Sequence, residues 1–112
     1  MQITALVVPC DEEEDIRKIE YEQGDIRFIQ SVVEGTFTVT DLEQADASIF
    51  SNDEGLLLDL PFNRRATGML YTFSPRHRGY TMLVGNCLVT GMPDEEGNTL
   101  AVPDELVKLV GA

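Results

Sequence analysis

The sequence is poor in the side chains from which small metal and disulfide sites are built. It has one histidine and two cysteines in 112 residues. Cys10 and Cys87 are too few for a disulfide scaffold, and without a secretion signal we expect two free thiols in a reducing cytosol. A closed zinc site needs four ligands in close pairs, which this set does not provide. We therefore predict no bound metal and interpret His77 as a solvated loop residue.

Long hydrophobic runs are also missing. No apolar stretch reaches 18 residues, which argues against a membrane-spanning helix. Residues 1–8 are apolar, but they have no basic region and are followed by Pro9 and a run of acids, so they are typical of a strand and not of a signal peptide. We expect a cytoplasmic protein with no membrane contact.

The motifs of common enzymes are absent as well. There is no glycine-rich phosphate loop of the Walker or Rossmann type, and no serine elbow precedes a helix. Adjacent acids such as those at 94–96 lie in loops, whereas acid–base catalysis needs carboxylates held apart in contrasting environments. Cys87 lies in an apolar run, where a buried and inert thiol is the usual outcome. We predict no catalytic residue and no cofactor, and hence a protein that is not an enzyme.

Acids are missing from one third of the chain. Residues 60–93 contain no Asp or Glu but hold Arg64, Arg65, Arg76 and Arg78. This window carries +4 and the rest of the chain −16, which gives the net charge of −12. So large a negative charge disfavours direct binding to nucleic acid, because the phosphate backbone is repelled. It permits either simple solubility or mimicry of nucleic acid by a track of carboxylates.

Three helices are predicted. Residues 25–34 form the main helix, because Ile26, Ile29 and Val33 recur on one face and Gly35 suits the position past its end. Short helices are predicted near 61–67, with Pro61 in the first turn, and near 103–110. We expect Gly68 to weaken or end the helix near 61–67.

The strands are predicted to come in pairs. Segments 3–8 and 16–22 form one hairpin, and segments 36–41 and 46–51 form another. A long strand is predicted over 80–89, with a kink at Gly85 and Asn86. Paired strands that do not alternate with helices indicate an α+β fold with a mostly antiparallel sheet. We expect one compact domain over residues 1–112.

The candidate binding residues are the arginines and their neighbours. Arg76 and Arg78 offer planar donor groups suited to carboxylate or phosphate, and His77 between them adds a donor when protonated. A second candidate group consists of Asn63, Arg64 and Arg65, which the fold could bring near the first group. The alternative is that these arginines pair with the protein's own acids, within the chain or across a dimer.

Several segments resemble a known family, the domain of unknown function 3846. They are Gly55-Leu56, Pro61-Phe62-Asn63-Arg64, Val84-Gly85-Asn86-Cys87-Leu88-Val89-Thr90-Gly91, the opening Ala5-Leu6-Val7-Val8-Pro9 and the helix before Gly35. The resemblance covers most of the chain and implies an intracellular protein of bacteriophages or mobile elements, in a subgroup from actinobacterial hosts. It brings no established activity. The family signature falls on Asn63, Arg64 and Gly85.

The first hypothesis is a non-enzymatic binding or regulatory protein that docks on a host macromolecule, a host protein above all, through an arginine-bearing surface. The alternatives are a binder of a small anionic ligand such as a nucleotide, and a DNA-mimic inhibitor. A ligand pocket predicts buried arginines that converge, whereas a docking face predicts exposed arginines beside Tyr71, Phe73 or Tyr80. Mimicry predicts one ribbon of acids from 11–15, 94–96 and 104–105. A homodimer is expected from the exposed strand edges and the small core.

Overall fold

An antiparallel five-stranded sheet lies at the centre of the protein, in a computed structural model that describes all of residues 1–112. The predicted α+β class is confirmed. The elements in chain order are β1 (Gln2–Val8), β2 (Arg17–Glu22), α1 (Ile26–Val33), β3 (Phe37–Leu42), β4 (Ala47–Asn52), α2 (Arg64–Phe73), β5 (Cys87–Gly91) and α3 (Asp104–Leu109). Short 3₁₀ turns cover Glu43–Ala45 and Pro75–His77.

The strand order is β2-β1-β5-β4-β3, and every neighbouring pair is antiparallel. Both predicted hairpins are confirmed: Ile3 pairs with Tyr21 in the first, and Thr40 pairs with Ile49 in the second. The last strand of the chain, β5, lies between the two hairpins and joins them. The free edges of the sheet are therefore β2 and β3.

Helices cover both faces of this sheet, which explains the continuous apolar run of β1. Ile3, Ala5 and Val7 belong to the core on the face covered by α1. Leu6 and Val8 belong to the larger core on the other face, beneath α2 and α3. Successive side chains of a strand point to opposite faces, so a strand buried on both faces is apolar at every position.

Helix α2 is longer than predicted and begins later. It spans Arg64–Phe73, ten residues, and exceeds the eight-residue α1 that the sequence favoured as the main helix. Pro61 does not enter it, because Asn63 caps its first turn by accepting a hydrogen bond from the Ala66 N–H. Gly68 does not end it either. A helical glycine costs only about 1 kcal/mol relative to alanine, which the burial of Met69 and Leu70 offsets.

The strand predicted over 80–89 is wrong over residues 80–86, since β5 begins only at Cys87. The segment before it pairs instead with the chain that leads into α2. Leu83 O accepts from Asn63 N at 2.9 Å, and Gly85 N donates to Pro61 O at 2.7 Å. Gly85 has φ +74°, a left-handed conformation that ends this pairing and turns the chain into the sheet.

Candidate functional site

Helix α2 separates the two groups of arginines. Arg64 and Arg65 form its first turn, whereas Arg76 and Arg78 follow its last residue, Phe73. A ten-residue α-helix is about 15 Å long, so the groups lie at opposite ends of the helix. The structure does not bring the two sets of candidate residues together.

The first pair of arginines binds the loop that follows β1. Arg64 donates from Nε to a carboxylate oxygen of Glu12 at 2.6 Å. Arg65 donates to two backbone carbonyls, Pro9 O at 2.8 Å and Asp11 O at 3.0 Å. These contacts neutralise part of the acidic run at 11–15 and hold it against the start of α2.

The second pair lies in the 3₁₀ turn and loop after α2, and its side chains are exposed. Arg76 forms an ion pair with Glu43 at 2.7 Å. Arg78 donates from Nε to Tyr71 O at 2.8 Å and has no carboxylate partner. An exposed ion pair is worth about 0–1 kcal/mol, so Arg76 is readily released, and the remaining donors of Arg78 face solvent.

His77, between these arginines, is half-buried and not the solvated residue that the sequence suggests. Its Nδ1 lies 2.9 Å from Thr81 Oγ1, while its Nε2 is buried with no hydrogen-bond partner. The ring therefore packs toward the protein while its two neighbours face outward.

Asn63 is fully buried, and its side chain is saturated by bonds within the chain. Its Nδ2 donates to Val8 O at 2.9 Å and to Gly85 O at 2.8 Å, while its Oδ1 accepts from Ala66 N at 3.0 Å. These three bonds connect the end of β1, the approach to β5 and the first turn of α2. Asn63 thus has a structural role and presents no group to a partner.

The aromatic residues predicted to flank a docking face are accessible to different degrees. Tyr80 is 89% exposed, whereas Tyr71 and Phe73 are half-buried. None of the three surface cavities is lined by Arg64, Arg65, Arg76 or Arg78. The arrangement is that of an exposed face and differs from a pocket with converging arginines.

The acidic segments do not form one ribbon. Residues 11–15 follow the C-terminal end of β1, whereas residues 94–105 lie near its N-terminal half, where Val102 N donates to Thr4 O. The four-residue step from Thr4 to the end of β1 at Val8 is about 13 Å long, and it separates the two groups. Asp94 shapes its own turn by accepting from the Glu96 and Asn98 N–H groups, and these bonds lower the pKa of its carboxyl group.

The two cysteines are free thiols that differ in burial. Burial, together with a smaller effect of the nearby Cys10, raises the pKa of the Cys87 thiol to about 12. Both thiols are free, and no group of three or more His, Cys, Asp or Glu residues is arranged to hold a metal ion.

The two thiols are expected to differ sharply in reactivity. At pH 8 a thiol with a pKa of about 12 is thiolate in only about one molecule in 10⁴, and Cys87 is also fully buried. We expect Ellman's reagent to label the half-buried Cys10 at least ~100-fold faster than Cys87 in the native protein, and both at similar rates in urea. The Cys10→Ala variant, which leaves only the slow phase, assigns the two rates. A single fast phase for two thiols in native protein would contradict this.

No helix in the structure combines the length and apolar character needed to cross a lipid bilayer.

The family match covers almost the whole fold. The family described as domain of unknown function (DUF3846) matches residues 3–112. The chain belongs to the DUF3846 family. Comparison with curated proteins found no match, and comparison with solved structures found none either. The family is thus established for this chain, and the match itself carries no activity.

In this DUF3846 protein the signature positions of the resemblance meet in space. Asn63 bonds to the carbonyl of Gly85, and a Cβ added to Gly85 would lie 2.9 Å from Leu60 Cδ1. Both positions serve the packing of the segment before α2 against the segment before β5. Arg64, the third position, is exposed and paired with Glu12.

Sequence reasoning missed one surface of the DUF3846 fold. Leu56, Leu57 and Leu58 are all exposed, as is Met82 beside them. The signal in the sequence is a leucine triplet, which lies between the acids Asp53 and Glu54 on one side and Asp59 on the other. Acids that bracket a short apolar run indicate an exposed turn.

Proposed function

We propose that this protein is a non-enzymatic binding protein that docks on another protein through the arginine loop, defined as residues 74–80. The observation that carries the proposal is the exposure of Tyr80, which reaches 89%. Tyr80 lies two residues after Arg78, whose guanidinium has no carboxylate partner. Tyrosine and arginine are enriched among residues that dominate binding energy at protein interfaces. An exposed tyrosine two residues from a guanidinium that has no carboxylate partner is suited to a partner surface with an apolar pocket and an acidic rim.

The loop is held in place without hiding these groups. Thr81 contacts the half-buried His77 ring, and Arg78 donates to the last full turn of α2 through Tyr71 O. Preorganisation of this kind reduces the ordering cost of binding. The exposure of Arg76 and Arg78, and their distance from Arg64, favour a docking face over a site for a small anionic ligand.

We further propose that the protein acts in the cytoplasm of a host cell and that its partner is a host protein. The resemblance to proteins of bacteriophages and mobile elements, in an actinobacterial subgroup, supports this setting. The net charge of −12 supports a protein partner over nucleic acid. Separation of the acidic segments along β1 argues against mimicry of DNA.

The proposal is tested by affinity capture from an actinobacterial lysate with three forms of the protein. The test variant is Arg78→Glu combined with Tyr80→Ala. The matched control is Arg27→Glu with Tyr80 retained, because Arg27 is exposed on α1, on the other face of the sheet, and gives the same change in charge. We expect a host protein to be retained by the wild type and the control and lost by the test variant.

With the purified partner, Tyr80→Ala alone is expected to weaken binding by about 30-fold, the effect of losing an interface hot spot of about 2 kcal/mol. Circular dichroism and melting should show an unchanged fold, since Tyr80 is exposed. Equal retention of the partner by all three proteins would refute docking through the arginine loop.

A further inference from the structure

A second surface, unrelated to the arginines, is formed by the leucine turn, defined as residues 53–59. Leu57 is 87% exposed and Leu56 is 68% exposed. Both line a groove of about 460 Å³, called the leucine groove, together with the exposed Met82. Large apolar side chains gathered around one groove typically mark a binding site. Their side chains contribute little to the core, so the fold alone does not require leucine there.

The leucine turn is ordered by its own backbone. Leu58 N donates to Glu54 O at 2.9 Å, and Leu60 N donates to Gly55 O at 3.0 Å. Gly55 allows the turn to pack against Val84, because an added Cβ would lie 2.4 Å from Val84 Cγ2. The leucines are therefore held outward by a bonded and tightly packed turn.

The groove runs beside the free edge of the sheet. Thr38 and Thr40 of β3 line it opposite Leu56 and Leu57. Strand β3 pairs only with β4, so its other side has no strand neighbour. An extended peptide lying along β3 would place alternate side chains into the groove.

The outward backbone groups of β3 can be assigned from the ladder. Asp53 N donates to Thr36 O at 3.1 Å, which makes residues 36 and 53 a hydrogen-bonded pair. Such pairs alternate in an antiparallel ladder. Residues 38 and 40 therefore bond to β4, whereas Phe37, Val39 and Asp41 direct their N–H and C=O groups to the free edge.

Charge indicates what this edge would accept. Asp53 and Glu54 line the groove, Asp41 lies on the adjoining strand, and no Lys or Arg is among the lining residues. An added strand that carried basic side chains would be attracted, and an acidic one repelled.

We propose that β3 and the leucine groove bind an extended basic-apolar peptide segment of a partner protein, which adds to the sheet as a sixth strand. Main-chain bonds from Val39 and its outward neighbours supply affinity, and the leucine groove selects the side chains. This surface is acidic and apolar, so it calls for partner chemistry opposite to that of the arginine loop. The inference is independent of the proposed function.

A second copy of the chain fits this edge less well. A symmetric pairing of β3 with β3 places the same surface of both copies together. Each copy carries a net charge of −12, and the pairing would bring the two acidic surfaces close together. Like charges across a strand pair are destabilising.

The test uses two capped synthetic peptides, one alternating lysine with valine and one alternating glutamate with valine, titrated by fluorescence anisotropy. We expect the lysine peptide to bind at least about 10-fold more tightly than the glutamate peptide, and added salt to weaken it. Amide exchange should slow at Val39 and Asp41 when the lysine peptide binds and stay unchanged at Thr38 and Thr40.

Val39→Pro is the decisive variant. It removes an outward N–H and no bond to β4, a position where an edge strand tolerates proline. We expect at least a 10-fold loss of peptide binding, whereas Val39→Thr, which keeps the N–H, retains binding. Leu57→Ser, which removes the apolar contact at an exposed position without adding charge, should weaken binding as well.

Three outcomes would overturn the proposal. Equal binding of both peptides would show that charge does not select the occupant. Binding that survives both Val39→Pro and Leu57→Ser would place the peptide elsewhere. Sedimentation showing a wild-type dimer that Val39→Pro converts to a monomer would identify the occupant of the edge as a second copy of the chain.

Discussion

The Asn63→Ala variant is expected to lose about 3–5 kcal/mol of unfolding free energy. The substitution removes the cap of α2, worth about 1 kcal/mol. It also leaves Val8 O and Gly85 O without the donor that now satisfies them, at about 1–2 kcal/mol for each buried carbonyl. For a domain of this size the melting temperature should fall by about 15 °C. Urea denaturation followed by circular dichroism measures the loss.

Asn63→Asp separates the cap from the two donor bonds. The carboxylate can still accept from Ala66 N, but it places negative charge against two carbonyl oxygens. We expect a loss at pH 7 at least as large as that of the alanine variant. Burial raises the pKa of this carboxyl group above its unfolded value of about 3.9. The variant therefore regains part of its stability as the pH falls toward 4. It loses this stability again as the pH rises through the folded-state pKa of the carboxyl group. An Asn63→Asp protein with wild-type stability at pH 7 would show that the cap alone matters.

Gly91→Ala is expected to destabilise the protein by about 3 kcal/mol, within the range seen when side chains are forced into packed sites. A Cβ at Gly91 would lie 2.2 Å from Ala101 O, a backbone atom that a rotamer change cannot move. The 100–101 segment would have to retreat, and the bond from Gly91 N to Leu100 O at 2.9 Å would be lost with it. The midpoint of urea unfolding reports the change.

Gly68→Ala is the matched control for this substitution. Nothing lies within 4 Å of a Cβ at Gly68, which is exposed within α2. We expect the same chemical change to stabilise the protein here by about 0.5–1 kcal/mol, because alanine is the better helix former. Destabilisation of similar size at both positions would mean that the contact with Ala101 does not decide the effect.

The sequence predicts those parts of the fold that depend on neighbours in the chain. Both hairpins were found because alternating or apolar segments flank recognisable turns, and α1 was found because Ile29 and Val33 recur at helical spacing. The extent of α2 was misjudged because the low helix propensity of Gly68 is a weak signal beside the burial of Ala66 and Leu70.

Other features depend on contacts between distant segments. The path of residues 83–85 is set by bonds to residues 61–63, about twenty positions earlier, and no local pattern encodes it. Asn63 caps α2 through a local bond, but its bonds to Val8 and Gly85 require β1 and β5 to be adjacent already. For the same reason the partners of Arg64 and Arg76, two acids on separate loops, could not be chosen from twenty by sequence alone.

The position of β5 in the sheet has a consequence for how the chain folds. Each hairpin can form from local sequence, but β1 and β4 are joined only when Cys87–Gly91 enters between them. Closing such long loops is entropically costly before the contacts form, and folds dominated by distant pairings are slow. We therefore expect the insertion of this central strand to be a late step of folding, before which the chain exposes two additional strand edges that can pair with other chains.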